Sequence, residues 1–175
     1  MNTPANGLHG SAPTIHEPDY DDPKEPYAFF GLASYWVQCF EQSLFLLIVA
    51  LKVVSPTPIT ETSFDEIFEK LDHNTLGLLI KQISKLTDVD DNLTALFSEL
   101  LPKRNYLMHH FFERNADKWF SDVGRRAMLD ELRALAQAFQ DGDRILVKIY
   151  DPLWHKLGVT EEVVRRELEK LKGGI

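Results

Sequence analysis

The chain has 175 residues, 44% of them hydrophobic, and a formal net charge of −8. This length suits one domain with a real core, and the negative charge argues against a general nucleic-acid binder. The single cysteine, Cys39, excludes an intramolecular disulfide and a multi-cysteine zinc site, which favours a cytoplasmic location. The longest unbroken apolar run, Leu44 to Leu51, has only eight residues, so we expect no membrane-spanning segment.

The first 26 residues differ in composition from the rest of the chain. They contain five prolines and several acidic side chains, a composition that buries too little apolar surface to fold. They also lack the basic start and apolar centre of a secretory signal. We therefore expect a disordered leader over residues 1–26, a helical bundle over 27–157 and a separate charged helix over 158–175.

Helical spacing of apolar residues recurs nearly everywhere after residue 28, which predicts an all-α bundle of four to six helices. The first helix is expected over Phe29–Val54, because two prolines at positions 56 and 58 forbid its continuation. It is apolar almost all round between Leu44 and Leu51. Such a helix is either central to a bundle or pressed against a second subunit.

Two short helices are predicted next. A capping box before Phe64 indicates a helix over residues 64–71. A second helix, capped by Asn74 or Thr75, should stop near Thr87 and face inward through one apolar stripe, which consists of Leu76, Leu79, Ile80 and Ile83.

A longer helix is expected from Asp91 or Asn92 to about Asn115, with Pro102 inside it. A proline in a helix interior removes one hydrogen bond and clashes with the preceding turn. The helix should therefore either kink or restart just before Arg104. A restart would place Lys103 and Arg104 near a helix N-terminus, where backbone N–H groups favour anions.

The last two helices complete the bundle. Ser121 begins a long helix that runs through Gly142 towards Tyr150 and is ended or bent at Pro152. Its buried stripe is predicted to be Met128, Leu129, Leu132, Leu135, Ala136 and Phe139. Thr160 then caps a charged helix over residues 161–172, and the narrow apolar stripe of this helix suits packing on a partner or in a groove.

Residues 104–110, Arg-Asn-Tyr-Leu-Met-His-His, concentrate the chemistry of the chain. Arginine can hold a phosphate through forked donors, and histidine titrates closest to neutrality. The spacing alone carries no weight, because this composition gives roughly 0.8 chance matches. Context strengthens the motif: residues 101–126 hold six cations and three anions, a local charge of +3 that suits a phosphate. Scattered solvated charges are the alternative interpretation.

The Arg-Asn-x-x-x-His string, late in a helix of a small bundle, resembles the HEPN superfamily of helical ribonuclease and nucleotide-binding domains. Residues 40–44 (Phe-Glu-Gln-Ser-Leu) and 71–80 (Leu-Asp-His-Asn-Thr-Leu-Gly-Leu-Leu-Ile) are similar to segments of bacterial HEPN-like proteins. The resemblance implies a metal-independent endoribonuclease that needs no cofactor and acts on RNA as a homodimer. Such enzymes are often toxins paired with an antitoxin protein.

Carried over by position, the resemblance assigns the catalytic residues to Arg104, Asn105 and His109. Arg104 would bind the scissile phosphate, and His109 would transfer a proton. Beside these catalytic residues, we expect Lys103, His110 and Arg114 to assist substrate binding. His110 duplicates the family histidine, so either imidazole could face the substrate.

Helix geometry and proton transfer both favour a composite site. At about 100° per residue, Arg104 and His109 are separated by about 140° around the helix, so one helix alone aims them together poorly. Attack by a ribose 2′-hydroxyl needs both a base and an acid, which two copies of His109 in a dimer would supply. The resemblance implies 2′,3′-cyclic phosphate and 5′-hydroxyl products.

A non-catalytic interpretation stands beside the enzyme. Arg104 could form an ion pair with Glu99 or Glu113, and the chain would then be a HEPN-like module that binds a nucleotide or a protein. The place where some family toxins carry a modifiable tyrosine holds Phe111 here. A metal site made by His109 and His110 is not expected, because adjacent histidines do not share a helix face.

Overall fold

The computed structural model describes residues 14–54 and 75–173. Within these residues there are five α-helices, one short 3₁₀ helix and no strand, so the predicted all-α bundle is confirmed. The helices are α1 (Glu25–Val53), α2 (Leu76–Leu86), α3 (Asp91–Arg114), the 3₁₀ helix Lys118–Phe120, α4 (Asp122–Lys156) and α5 (Glu161–Gly173). The helix predicted over 64–71 lies outside the described residues.

Helix α1 is the central element of the bundle. It packs chiefly along α4, with α2 and α3 on its other sides. Its buried side chains point in several directions, and Phe40, Leu44 and Ile48 are completely inaccessible. The sequence left open a central helix or a subunit interface, and burial within one chain accounts for the apolar character. This character therefore no longer supports a dimer formed through α1.

Helix α1 bears on the expectation about membrane-spanning segments. This helix is long and apolar enough to cross a membrane by length and composition, although its apolar residues do not form one unbroken run. However, 61% of its most apolar stretch is buried inside the bundle. Core helices pass the same test for this reason, since burial against protein and burial in lipid select similar side chains.

Two helices continue past prolines at which the sequence predicted a kink or restart (Pro102) and a bend or an end (Pro152). Helix α3 runs unbroken through Pro102, and α4 runs through Gly142 and Pro152 as far as Lys156. Pro102 is exposed, so its ring faces solvent and not the core. The helix does not restart at Arg104. This residue lies in the interior of α3, where backbone N–H groups bond to carbonyls of the preceding turn. The anion site at a helix N-terminus is therefore absent there.

The helix ends follow ordinary capping chemistry. Helix α1 starts at Glu25, four residues before the prediction, because Pro26 suits the first turn of a helix. Asp90 caps α3, and its carboxylate accepts from the backbone N–H of Leu93 at 2.8 Å. Ser121 caps α4 through the N–H of Gly124. Both starts agree with the predicted positions within one or two residues.

Part of the segment expected to be a disordered leader has a defined position. Residues 14–24 lie against α4, with Pro18 buried. Acidic side chains of this segment meet arginines of α4, which explains why a proline-rich and acidic stretch can be held in place. The acid–arginine contacts are Glu17 with Arg133 and Asp21 with Arg126, and the Tyr20 hydroxyl also donates to the Asp130 carboxylate.

A hydrogen-bonded polar pair lies in the core. The Ser43 hydroxyl of α1 donates to the Asp143 carboxylate of α4 at 2.5 Å, and both side chains are buried. Beside this pair, Gly142 allows α4 to approach Phe40 and Leu100 closely. The predicted apolar stripe of α4 is buried throughout, as expected. Burial of a hydrogen-bonded polar pair among these side chains fixes the register of α4 on α1.

Candidate functional site

The motif lies in the C-terminal half of α3, beside α1. Asn105, His109 and His110 are exposed, whereas the Arg104 side chain is only 20% exposed. At about 100° per residue, Asn105 lies between Arg104 and His109 around the helix. The three residues assigned to catalysis therefore share one side of α3, and Arg104 lies nearest to α1.

Arg104 is held by a residue that the sequence did not single out. Its Nε donates to the Oε1 of Glu41 in α1 at 2.9 Å, and the Glu41 side chain is 25% exposed. The predicted alternatives, Glu99 and Glu113, pair instead with Lys103 and His110. The available signal was a lone carboxylate inside an apolar helix, within the segment at 40–44 that resembles HEPN proteins.

Arg104 also reaches the motif histidine. Its Nη1 lies 3.2 Å from the Nε2 of His109. Because a guanidinium has no lone pair, Nη1 donates and Nε2 accepts, which places the proton of a neutral His109 on Nδ1. The length of the arginine side chain overcomes the angular separation on the helix. The two groups, which the helix by itself aims together poorly, are therefore in contact within one chain.

The two adjacent imidazoles face different partners. The Nδ1 of His110 lies 3.4 Å from the Oε2 of Glu113, one turn further along the same helix. Its ring centre is 6.3 Å from that of His109. Arg104 thus selects His109, and the structure does not bring His110 to the guanidinium.

The remaining cations predicted to bind substrate are also engaged. The Lys103 ammonium contacts Glu99 at 2.5 Å, and the Arg114 guanidinium lies 5.7 Å from the centre of the Tyr106 ring. Most of the cations in residues 101–126, the predicted positive zone, have anionic partners. These pairs are Lys103 with Glu99, Arg104 with Glu41, Lys118 with Glu131, Arg125 with Asp122, and Arg126 with Asp21. The zone is therefore much less positive than its sequence composition indicates.

The end of α3 is tied down by a buried amide. Asn115 is 1% exposed, and its Nδ2 donates to the Tyr106 hydroxyl and to the Phe111 carbonyl, each at 2.8 Å. Burial, with a hydrogen bond to Glu131, raises the pKa of Tyr106 above its ordinary value. The network fixes the last two turns of α3, which carry His109.

Aromatic side chains border the motif on its C-terminal side. Phe112, one turn beyond His109, lies 4.9 Å from Phe30 and 5.8 Å from Tyr27 of α1, measured between ring centres. Tyr27 in turn lies 4.9 Å from Trp119. The sequence did not indicate this cluster, because its members come from three elements that are distant along the chain.

Other reactive groups offer little to this site. Burial raises the pKa of the Cys39 thiol, which disfavours the thiolate form that a nucleophile requires. Among residues 14–54 and 75–173, no group of three His, Cys, Asp or Glu side chains is placed to hold a metal ion.

Comparison with protein-family models, with curated proteins and with solved structures gives no match for this chain. The HEPN resemblance therefore rests on the motif and on the two sequence segments, residues 40–44 and 71–80, that accompany it.

Proposed function

We propose that this chain is a metal-independent endoribonuclease of the HEPN type. The observation that carries the proposal is the line of contacts from Glu41 through Arg104 to His109 at an exposed surface. It joins a fixed guanidinium to an accessible imidazole within one chain. Cleavage of an RNA phosphodiester by its own 2′-hydroxyl requires a phosphate anchor and a proton acceptor, which are the two groups present.

Glu41 has a defined part in this proposal. By binding Nε it fixes the plane of the guanidinium, and it leaves the Nη2 donors of Arg104 for a phosphate. The carboxylate also offsets one positive charge, which lowers general affinity for nucleic acid. Positioning gained in this way favours the transition state over loose binding of the ground state.

The proposed reaction uses the Nε2 lone pair of His109. A phosphate oxygen that takes the Nη1 donor of Arg104 would release Nε2 to accept the proton of the 2′-hydroxyl. The 2′-oxygen then bonds to phosphorus, the bond to the 5′-oxygen breaks, and a protonated imidazole gives its proton to that oxygen. The products are a 2′,3′-cyclic phosphate and a 5′-hydroxyl.

The proton donor for the leaving group is proposed to come from a second copy of the chain. In a homodimer the two His109 side chains would act as base and acid at one phosphate. A cytoplasmic enzyme of this kind, acting as a toxin or defence component, would need an antitoxin protein to restrain it. Asn105, which is exposed between Arg104 and His109, is proposed to orient the substrate.

A second candidate function is favoured by the same ion pair. Because Arg104 already has a carboxylate partner and neighbouring cations are paired too, the chain could be a non-catalytic helical module that binds a nucleotide or a protein. In this case Glu41 and Arg104 join α1 to α3. The two candidates differ in the role of His109: the enzyme needs it for proton transfer, and the non-catalytic module does not.

The test is cleavage of labelled single-stranded RNA by the purified protein in EDTA. We expect cleavage by the parent and a loss of at least about 100-fold in Arg104→Ala and in His109→Ala, the usual scale for a positioned acid or base. His155→Ala is the matched control, because His155 is an exposed histidine of α4 paired with Asp151. It should cleave like the parent.

Three results would count against the enzyme. They are no cleavage by the parent at high protein concentration, cleavage that both motif variants retain, and cleavage that disappears only when metal is chelated. If His110→Ala loses activity while His109→Ala keeps it, the proton-transfer role moves to His110, and the contact between Arg104 and His109 is structural.

A further inference from the structure

An aromatic platform lies beside the proposed catalytic pair. It consists of Tyr27 and Phe30 of α1 and Phe112 of α3, with Trp119 behind Tyr27. Although these rings contact one another, Tyr27 is 57% exposed and Phe112 is 37% exposed. Aromatic side chains usually bury most of their surface, so core packing does not explain why two of these rings reach solvent.

The platform and the catalytic pair lie on the same side of α3. Phe112 follows His109 by three residues, which are neighbours on a helix surface and about 4.5 Å apart along the axis. Met108, 38% exposed, lies one turn before Phe112 and completes the apolar strip. A group held at Arg104 and His109 therefore has a flat apolar surface within the reach of one nucleotide.

Open space adjoins the platform along α1. Gly31 lies one turn beyond Tyr27 on the same helix, and a Cβ placed on it would meet no atom within 4 Å. Further along α1, Glu41 holds Arg104. The space above Gly31 thus lies on the stretch of α1 between the platform and the anchored guanidinium.

We propose that the platform stacks a nucleobase of single-stranded RNA next to the phosphate held by Arg104. The inference rests on the proposed function and adds the residues that position the base, Tyr27 and Phe112. A ring face accepts any base, so the interaction gives affinity without a fixed sequence. No duplex could present an unstacked base in this way, which restricts the substrate to single strands.

The neighbouring hydrogen-bonding groups favour a nucleotide over a protein occupant. A guanidinium and an imidazole lie within about two turns of the platform, a combination of phosphate anchor and stacking surface that single-stranded nucleic-acid sites use. A stable protein interface needs about 20–30 residues on each side, whereas the exposed platform consists of two rings and Met108. A second copy of this chain is the competing occupant.

The experiment measures binding without turnover, in the His109→Ala background. A short single-stranded RNA carrying 2-aminopurine is titrated, with anisotropy giving affinity and quenching of the 2-aminopurine reporting stacking. Tyr27→Ala and Phe112→Ala should each weaken binding by about 10-fold and remove most of the quenching. Tyr27→Trp should restore both, since it keeps a ring face at the same place.

Phe120→Ala supplies the matched control. Phe120 is 85% exposed and contacts no other ring among the described residues, so its loss should change neither affinity nor quenching. Circular dichroism of each variant checks that the fold is retained. Because Tyr27 and Phe112 are both substantially exposed, their truncation should leave the helical signal unchanged.

Failure of the platform and failure of the enzyme give different results. RNA cleaved by the parent but bound equally by Tyr27→Ala and Phe112→Ala overturns the platform and leaves the ribonuclease. RNA bound with quenching that depends on both rings, yet never cleaved by the parent, supports the platform and overturns the ribonuclease. If the parent is a dimer that either truncation dissociates, with quenching unchanged, the surface belongs to a second copy and the inference is wrong.

Discussion

The ion pair between Glu41 and Arg104 is the contact on which the site depends, and its energy can be measured by a double-mutant cycle. The Glu41 and Arg104 side chains are 25% and 20% exposed, so the pair is neither fully solvated nor fully buried. A solvated pair contributes up to about 1 kcal/mol, whereas disruption of a buried pair costs about 3–5 kcal/mol. We expect Glu41→Ala and Arg104→Ala each to lower the free energy of unfolding by about 1–2 kcal/mol. The double variant should lose little more than either single variant.

The assay is thermal or urea unfolding followed by circular dichroism. For a chain of this size, 1 kcal/mol shifts the midpoint by roughly 2–4 °C, so the single variants should melt about 2–8 °C below the parent. Lys103→Ala is the control, because the pair of Lys103 with Glu99 lies on the same helix but is more exposed. Its removal should change the free energy of unfolding by less than about 0.5 kcal/mol.

Additivity would refute this reasoning. If the loss in the double variant equals the sum of the two single losses, Glu41 and Arg104 are not coupled, and Glu41 does not hold the guanidinium. Activity provides a second measure. Glu41→Gln keeps an oxygen that can accept from Nε and should retain more cleavage than Glu41→Ala, which frees the guanidinium to turn away.

Two further predictions concern the packing around glycines and a buried phenol. A methyl group added in Gly142→Ala would lie 2.6 Å from Leu100 and 3.1 Å from the Phe40 ring, so this variant should melt below the parent despite a helix-propensity gain of about 1 kcal/mol. In Gly31→Ala the same gain meets open space, so this variant should melt above the parent; the opposite order would contradict the packing. Burial raises the pKa of the Tyr150 phenol, so folding keeps its proton and stability falls as pH rises above about 10. Tyr150→Phe should make the fall in melting temperature above that pH shallower, and an unchanged slope would contradict the assignment.

Much of the fold could be predicted from the sequence because helices are local. The apolar periodicity of residues 122–139 and the serine at 121 fix where α4 begins and which face it buries, and the structure agrees. The prediction failed where tertiary contacts decide. Pro102 was expected to kink α3 or to make it restart; the restart does not occur, because the Pro102 ring faces solvent and the helix continues through it.

Residues 14–24 show that tertiary contacts can also hold a segment that the sequence predicts to be disordered. Its composition predicted disorder, and no local property of residues 14–24 indicates otherwise. Glu17 and Asp21 are held because α4 presents Arg133 and Arg126 more than 100 residues away. Composition measures what a segment can bury by itself, and it cannot include charges supplied by a distant helix.

In the candidate site, too, some features follow from local sequence and others only from tertiary packing. The sequence by itself determined that Arg104, Asn105 and His109 lie on one helix, because i, i+1 and i+5 positions of an amphipathic segment are set by helical geometry. Only the tertiary structure decided that Glu41 of α1 fixes Arg104, that Arg104 contacts His109 and not His110, and that Tyr27 faces Phe112. The physical reason is that local periodicity orients side chains around one helix axis, whereas the partners of those side chains come from helices that pack together only in the folded chain.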